Sequence, residues 1–134
     1  VDASLTINEA AKMMEDAKVG AVIVMENNSP VGIVTDRDFA IKVVAHEYQI
    51  SSPVKQIMSS PLFSINLDES VRIAADLMHD RGIMKLPVID GEKVVGIITA
   101  RDIVNLLAVC VEEDMRDMYF HSVVKIFANY SPYN

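Results

Sequence analysis

Several shortages bound what this chain of 134 residues does. It has a single cysteine, Cys110, so no disulfide framework holds it together. It is short of basic residues: 12 Lys and Arg stand against 19 Asp and Glu, for a net charge of −7. An acidic chain without a basic stripe cannot readily neutralise a nucleic-acid backbone, which excludes bulk DNA or RNA as the expected partner. A small anion stays open, because one local set of backbone N–H groups with a Lys or Arg suffices to hold it. Long apolar runs are missing too. A membrane span needs roughly 18–20 apolar residues, whereas the densest stretches, Ala21–Met25 and Val94–Ile98, have strand lengths. No secretory leader is visible, and a cytoplasmic protein is expected. The sequence opens on Val1 and not on Met, so the true start is expected upstream. His46, His79 and His121 share no metal-site spacing, and no nucleophile–base pair is visible, so neither a metal centre nor a catalytic residue is expected.

What is present is hydrophobic, at 51% of residues, and it is said twice. Gly32-Ile33-Val34-Thr35-Asp36-Arg37-Asp38 returns 64 positions later as Gly96-Ile97-Ile98-Thr99-Ala100-Arg101-Asp102. Each copy reads as a strand running into a helix, with Thr35 or Thr99 at the N-cap and Asp38 or Asp102 three residues on. Thr-x-x-Asp is also an ordinary capping pattern; its duplication in matched contexts is what points to a ligand.

The surroundings repeat at the same offset. Thr6-Ile7-Asn8-Glu9 fits a capping box opening a helix whose apolar stripe is Ile7, Ala10, Ala11 and Met14, ended by Gly20. Val71, Ala74, Ala75 and Met78 reproduce that stripe. Ala21–Met25 reads as a strand buried on both faces, Asn27–Pro30 as a turn and Val31–Val34 as a second strand. An α-helix from about Asp36 carries Phe39, Ala40, Val43 and Val44. Leu86–Ile89, Asp90–Lys93, Val94–Ile98 and a helix from Ala100 are their counterparts. The strand expected at Leu62–Leu67 has a counterpart mostly upstream of Val1. Ser-Pro breakers flank a short Val54–Met58 helix in a linker too apolar to be loose.

The expected organisation is 1–48 as a first repeat with a truncated first strand, 49–61 as linker, 62–111 as a second repeat and 112–134 as a C-terminal helix and tail. The expected class is α/β (α+β). Two strand–helix–strand–strand–helix units, each too small to bury its own faces, would pack with pseudo-two-fold symmetry around one shared core. Met13, Met14, Met58, Met78 and Met84 are expected core filler, Cys110 a buried thiol, and Glu112-Glu113-Asp114 a solvated turn. Phe120, Val123, Val124 and Phe127 form a helical stripe without a twin.

The paired G-h-h-T-x-R-D motifs (h apolar), the Gly82–Asp90 stretch and Pro53-Val54-Lys55-Gln56-Ile57-Met58 together resemble the CBS-domain family, and a tandem pair resembles a Bateman module. The resemblance reaches to about Leu107. It implies two clefts for adenosine ligands such as AMP, ADP, ATP or S-adenosylmethionine, acting as regulatory ligands and not as cofactors. It assigns ribose hydroxyls to the Asp and phosphate to the Thr, with adenine-side contacts from the opposite repeat. The first cleft then combines Thr35 and Asp38 with Ile65, Ile83, Met84, Lys85 and Pro87; the second combines Thr99 and Asp102 with Val19, Gly20 and Ala21. Arg37 and Arg101 either reach phosphate or point into solvent. The chemistry is consistent: an ionised carboxylate offers two acceptors to paired hydroxyls, the adjoining helix start offers N–H groups to a phosphate, and Lys85 adds a point charge. Ile23 in place of Pro87, Ala21 in place of Lys85 and the truncated first strand make the first cleft the expected better site. The expected function is a homodimeric, ligand-sensing module that regulates a partner protein. The alternative is a structural or oligomerisation module with degenerate clefts.

Overall fold

The computed structural model describes residues 1–107 together with 116, 117, 120, 121 and 124. The chain divides into two compact units, Val1–Leu62 and Phe63–Asn134, each a mixture of helix and sheet.

In the first unit, α1 (Ile7–Ala17) starts where the capping box requires. Thr6 accepts from the Glu9 N–H while the Glu9 carboxylate accepts from the Thr6 N–H at 2.9 Å. The helix stops at Lys18 (φ 54°), two residues before Gly20, where the sequence was expected to end it; the matching left-handed cap in the second unit is Gly82 (φ 62°). β1 (Ala21–Glu26) and β2 (Ser29–Thr35) form an antiparallel hairpin through Asn27 and Asn28 alone, both at positive φ. A type I′ turn demands that backbone, and Asn tolerates it. Val1–Ala3 lies alongside β1, with Asp2 bridged to Met25 in parallel, the register that Asn66 and Ile89 repeat in the second unit.

The helix expected from Asp36 departs from plan after one turn. α2 (Asp36–Asp38) passes into a π-helix, Phe39–Ala45, in which the His46 N–H reaches back five residues to the Ile41 carbonyl at 3.0 Å. Its counterpart in the second unit is α-helical over the residues described: α4, Ala100–Leu107. The linker helix is a single 3₁₀ turn, Val54–Gln56, and it is far from loose. Val54 and Ile57 are fully buried with Ala3, Ile7, Ala10, Val24 and Val34 in the core of the first unit.

The second unit holds a three-stranded sheet in the order β3 (Ile65–Asn66), β4 (Lys85–Asp90) and β5 (Lys93–Thr99), flanked by α3 (Val71–Arg81) and α4. Its core is a separate cluster of Ile65, Ala74, Ala75, Met78, Leu86, Ala100 and Ile103. Each unit thus carries its own cluster of buried apolar residues. The hairpin turn Gly91-Glu92 has positive φ only at Gly91, unlike the paired Asn turn.

Two burial expectations also change. β1 is not buried on both faces: Val24 is buried, while Ala21, Val22, Ile23 and Met25 are half-buried. Met13 is not core filler but exposed, unlike Met14 and Met78. Phe120 and Val124 are exposed; Val123, Phe127, Cys110, Glu112-Glu113-Asp114 and most of the expected C-terminal helix lie outside the described residues. Among the described residues, no helix is long and apolar enough to cross a membrane.

Candidate functional site

Each motif places a Thr at the end of a hairpin strand and an Asp one helical turn later. Strand geometry delivers Thr35 in an extended conformation (φ −121°, ψ 165°) directly before α2. The carboxylate at the third helical position then folds back onto it. In the first unit Asp38 Oδ2 accepts from the Thr35 N–H at 2.8 Å and from Thr35 Oγ1 at 3.2 Å. In the second unit Asp102 Oδ2 accepts from the Thr99 N–H at 2.8 Å and from Thr99 Oγ1 at 2.9 Å, and the Asp102 N–H returns a bond to Thr99 Oγ1 at 3.1 Å. One oxygen of each Asp is thus spent on fixing its own rotamer.

The two junctions differ in what the other oxygen does. Asp38 Oδ1 pairs with Lys42 Nζ at 3.1 Å, and the Asp38 side chain is 13% exposed. Lys42 also donates to the Ile57 carbonyl at 2.6 Å, tying the π-helix to the linker turn. Leu106 occupies the equivalent place in the second unit, Asp102 is exposed, and it makes no ion pair among the described residues. The Lys42 bridge was not anticipated. Its sequence signal is the i, i+4 spacing of Asp38 and Lys42 on a helix; its second arm, to Ile57, has no local signal at all.

The segment that enters each hairpin is fastened to the junction of its own unit. The Asp36 N–H donates to the Gly20 carbonyl at 3.1 Å and the Ala100 N–H to the Met84 carbonyl at 2.8 Å. Ala21 stands opposite Thr35 in the β1–β2 ladder, and Lys85 opposite Thr99 in the β4–β5 ladder. Val19, Gly20, Ala21, Thr35, Arg37 and Asp38 are therefore neighbours in one unit, and Ile83, Met84, Lys85, Thr99, Arg101 and Asp102 in the other. Arg37 and Arg101 are exposed. Ile65 and Pro87 are buried in the second unit, Ile65 pairing with Val88 and Pro87 standing opposite Ile97.

The motif glycines differ more than the motif acids. A Cβ on Gly32 would lie 2.7 Å from both the Met58 Sδ and the Ser59 carbonyl oxygen. Ser59 closes over it by exchanging backbone bonds with Ile33, at 3.1 Å and 2.8 Å. Among the described residues, a Cβ on Gly96 would meet nothing within 4 Å. The described residues hold no group of three His, Cys, Asp or Glu side chains placed to bind a metal ion.

The profile of the CBS domain matches residues 1–45 and 54–109. An uncharacterised protein, MK0525, of Methanopyrus kandleri is 38% identical over 112 residues, 80% of this chain and 57% of its own length. The CBS domain-containing protein YhcV of Bacillus subtilis is 37% identical over 103 residues, 77% of this chain and 74% of its own. The chain thus spans little more than half of the first relative. Among solved structures, the CBS domain pair of protein MJ0100, in complex with 5′-methylthioadenosine and S-adenosyl-L-methionine, superposes with a TM-score of 0.71 at 30% identity, covering 78% of this chain and 87% of that one. The CBS domain protein PAE2072 of Pyrobaculum aerophilum, complexed with AMP, shares the fold with a TM-score of 0.73 at 23% identity, over 90% and 89% of the two chains. The duplicated Gly-to-Asp junctions and these matches agree: the chain belongs to the CBS-domain family and carries two copies of the domain in tandem.

Proposed function

We propose that this chain is a regulatory, non-catalytic module that binds an adenosine-containing ligand at its Thr-x-x-Asp junctions. The observation that carries this reading is the twice-built carboxylate, held in one rotamer by the Thr N–H and hydroxyl before any ligand arrives. A preset acceptor loses little side-chain freedom on binding a ribose diol. The related domain pair of MJ0100, solved with 5′-methylthioadenosine and S-adenosyl-L-methionine, supports the same ligand class. Asp38 and Asp102 take ribose hydroxyls, Thr35 and Thr99 the phosphate side. Ile65, Ile83, Met84, Lys85 and Pro87, with Val19, Gly20 and Ala21, supply the adenine side, and Arg37 and Arg101 flank the phosphates. Asp38 is the stronger site, because its low exposure strengthens each polar contact. The nucleotide is a regulatory ligand, not a cofactor. Its occupancy is passed to a cytoplasmic partner that prefers the occupied geometry.

A thermal-shift screen with AMP, ADP, ATP and S-adenosylmethionine tests this. At least one should raise the melting temperature by mass action. No response to any of them favours the second reading, an assembly module acting through a homodimer. That reading has its own observation: Ile41 and Val44 on the π-helix are 44% and 77% exposed, and Val104 and Leu106 on α4 are 37% and 38% exposed.

A further inference from the structure

Asp38 commits most of its hydrogen-bonding capacity to its own unit. An ionised carboxylate offers two oxygens with about four lone-pair positions. Oδ2 accepts from the Thr35 N–H at 2.8 Å and from the Thr35 hydroxyl at 3.2 Å. Oδ1 accepts from the Lys42 ammonium at 3.1 Å. With three of about four positions taken, at most one is left, whereas a ribose diol brings two donors. A second hydroxyl reaches Asp38 only by displacing Lys42, and Lys42 does not stand loose. Its Nζ also donates to the Ile57 carbonyl at 2.6 Å, and Ile57 is fully buried in the core of the first unit. Pulling the ammonium away would exchange two charge-assisted contacts for one, beside a carboxylate side chain only 13% exposed. That exchange runs uphill, so Lys42 keeps its place.

We infer that Lys42 is the specificity-determining residue of the first junction: it limits Asp38 to one ribose hydroxyl and leaves the neighbouring hydroxyl unread there. The ligand class that follows is wider than the ribonucleotides. Asp38 takes an adenine nucleotide that keeps the hydroxyl it reads and tolerates loss of the other, so one of the two monodeoxy forms binds as the ribonucleotide does. A site rejects an analogue lacking a hydroxyl when a built polar group is then left without its partner. Lys42 already partners the carboxylate oxygen that the second hydroxyl would need. This selectivity rests on the nucleotide binding proposed for the junction and adds to it how Asp38 divides its acceptors.

Isothermal titration calorimetry with AMP and ATP and their 2′-deoxy and 3′-deoxy forms tests this. The titrations use the chain carrying Asp102→Ala, which takes the second junction out of the measurement, with and without Lys42→Met. With Lys42 in place, one deoxy form should bind within about threefold of the ribonucleotide, and the other about 10- to 100-fold more weakly. In Lys42→Met, Oδ1 regains its acceptor position, and both deoxy forms should fall about 10- to 100-fold behind the ribonucleotide. A merely structural role for Lys42 would weaken all forms alike and leave their ratios unchanged, which overturns the inference. So does an equal loss for both deoxy forms, or no loss for either, with Lys42 in place; these ratios decide the matter by themselves if Lys42→Met does not fold. Binding to the unmutated chain that vanishes in Asp102→Ala puts the nucleotide away from Asp38 and overturns the inference alone. No binding of AMP or ATP by the unmutated chain overturns the selectivity together with the adenine-nucleotide reading beneath it.

Discussion

The two repeats share a motif to within a few side chains, yet they use it under different cover. In the first, Met58 and Ser59 lie on Gly32, Val54 and Ile57 plug the core, and Lys42 reaches from Asp38 to the Ile57 carbonyl. In the second, none of the described residues lies within 4 Å of a Cβ placed on Gly96, Leu106 stands in place of Lys42, and Asp102 is exposed. The same Thr-x-x-Asp pair therefore sits in a fastened junction in the first unit and in an exposed one in the second. The difference comes from residues outside the motif: Lys42, four positions beyond Asp38, and Met58 and Ser59, 26 and 27 positions beyond Gly32.

The largest effect should come from the plug. Ile57→Ala removes a fully buried side chain and should cost about 2–5 kcal/mol of unfolding free energy, while Val95→Ala on the open hairpin should stay within about 0.5 kcal/mol. Urea denaturation of both variants measures the contrast. Equal costs would mean that the second hairpin is covered as well.

The glycine pair comes next. Gly32→Ala drives a methyl group into the Ser59 carbonyl, and overpacking of this kind costs about 1–3 kcal/mol. Gly96→Ala should be nearly silent. The same denaturation curves decide it, and a silent Gly32→Ala would show that Met58 and Ser59 yield easily.

Lys42→Met should be milder. It removes one charge-assisted bond and the pair with Asp38, for about 1 kcal/mol, since solvent screens the partly exposed Lys42 ammonium. Faster amide exchange confined to the π-helix and the linker turn would confirm that Lys42 joins them.

The smallest contrast is in acid. The bonds from the Thr6 N–H, and then the Thr6 hydroxyl, hold the Glu9 carboxyl below its ordinary value of 4.5. A carboxyl depressed on folding stabilises above its unfolded pKa, and that contribution is lost as pH falls through the folded value. The matching helix α3 is capped by Ser70 with Ile73 where Glu9 would be. Amide exchange in α1 should therefore accelerate below pH 4.5 more than in α3, and Glu9→Gln should remove the difference.

Much of this architecture was legible because it is local. The capping box at Thr6–Glu9, the helical stripes and the Thr-x-x-Asp junctions depend on residues within four positions of one another, and they stand where the spacing put them. Burial was less legible. The Ala21–Met25 run is as apolar as a strand covered on both sides, but how much of it is covered depends on what packs there. The π-helix after Asp38 was not legible, since Phe39–Ala45 has ordinary helical composition and nothing local marks the wider turn. Neither was the role of Gly32, because a glycine announces a close approach without naming what approaches. At the candidate site the Asp and Thr were readable from the duplication; the Lys42 bridge, whose second partner lies 15 residues on, was not.

The adenosine ligand proposed for these junctions would be held through the carboxylates of Asp38 and Asp102. Isothermal titration calorimetry of the chain with AMP, ATP and S-adenosylmethionine, repeated on Asp38→Ala and Asp102→Ala, tests it most directly. Loss of charge-assisted bonds worth roughly 1.5–3 kcal/mol predicts that at least one ligand binds about 10- to 100-fold more weakly to Asp38→Ala, with a smaller loss for Asp102→Ala. Affinity unchanged in both variants, or no heat from any of the three ligands, would contradict the account.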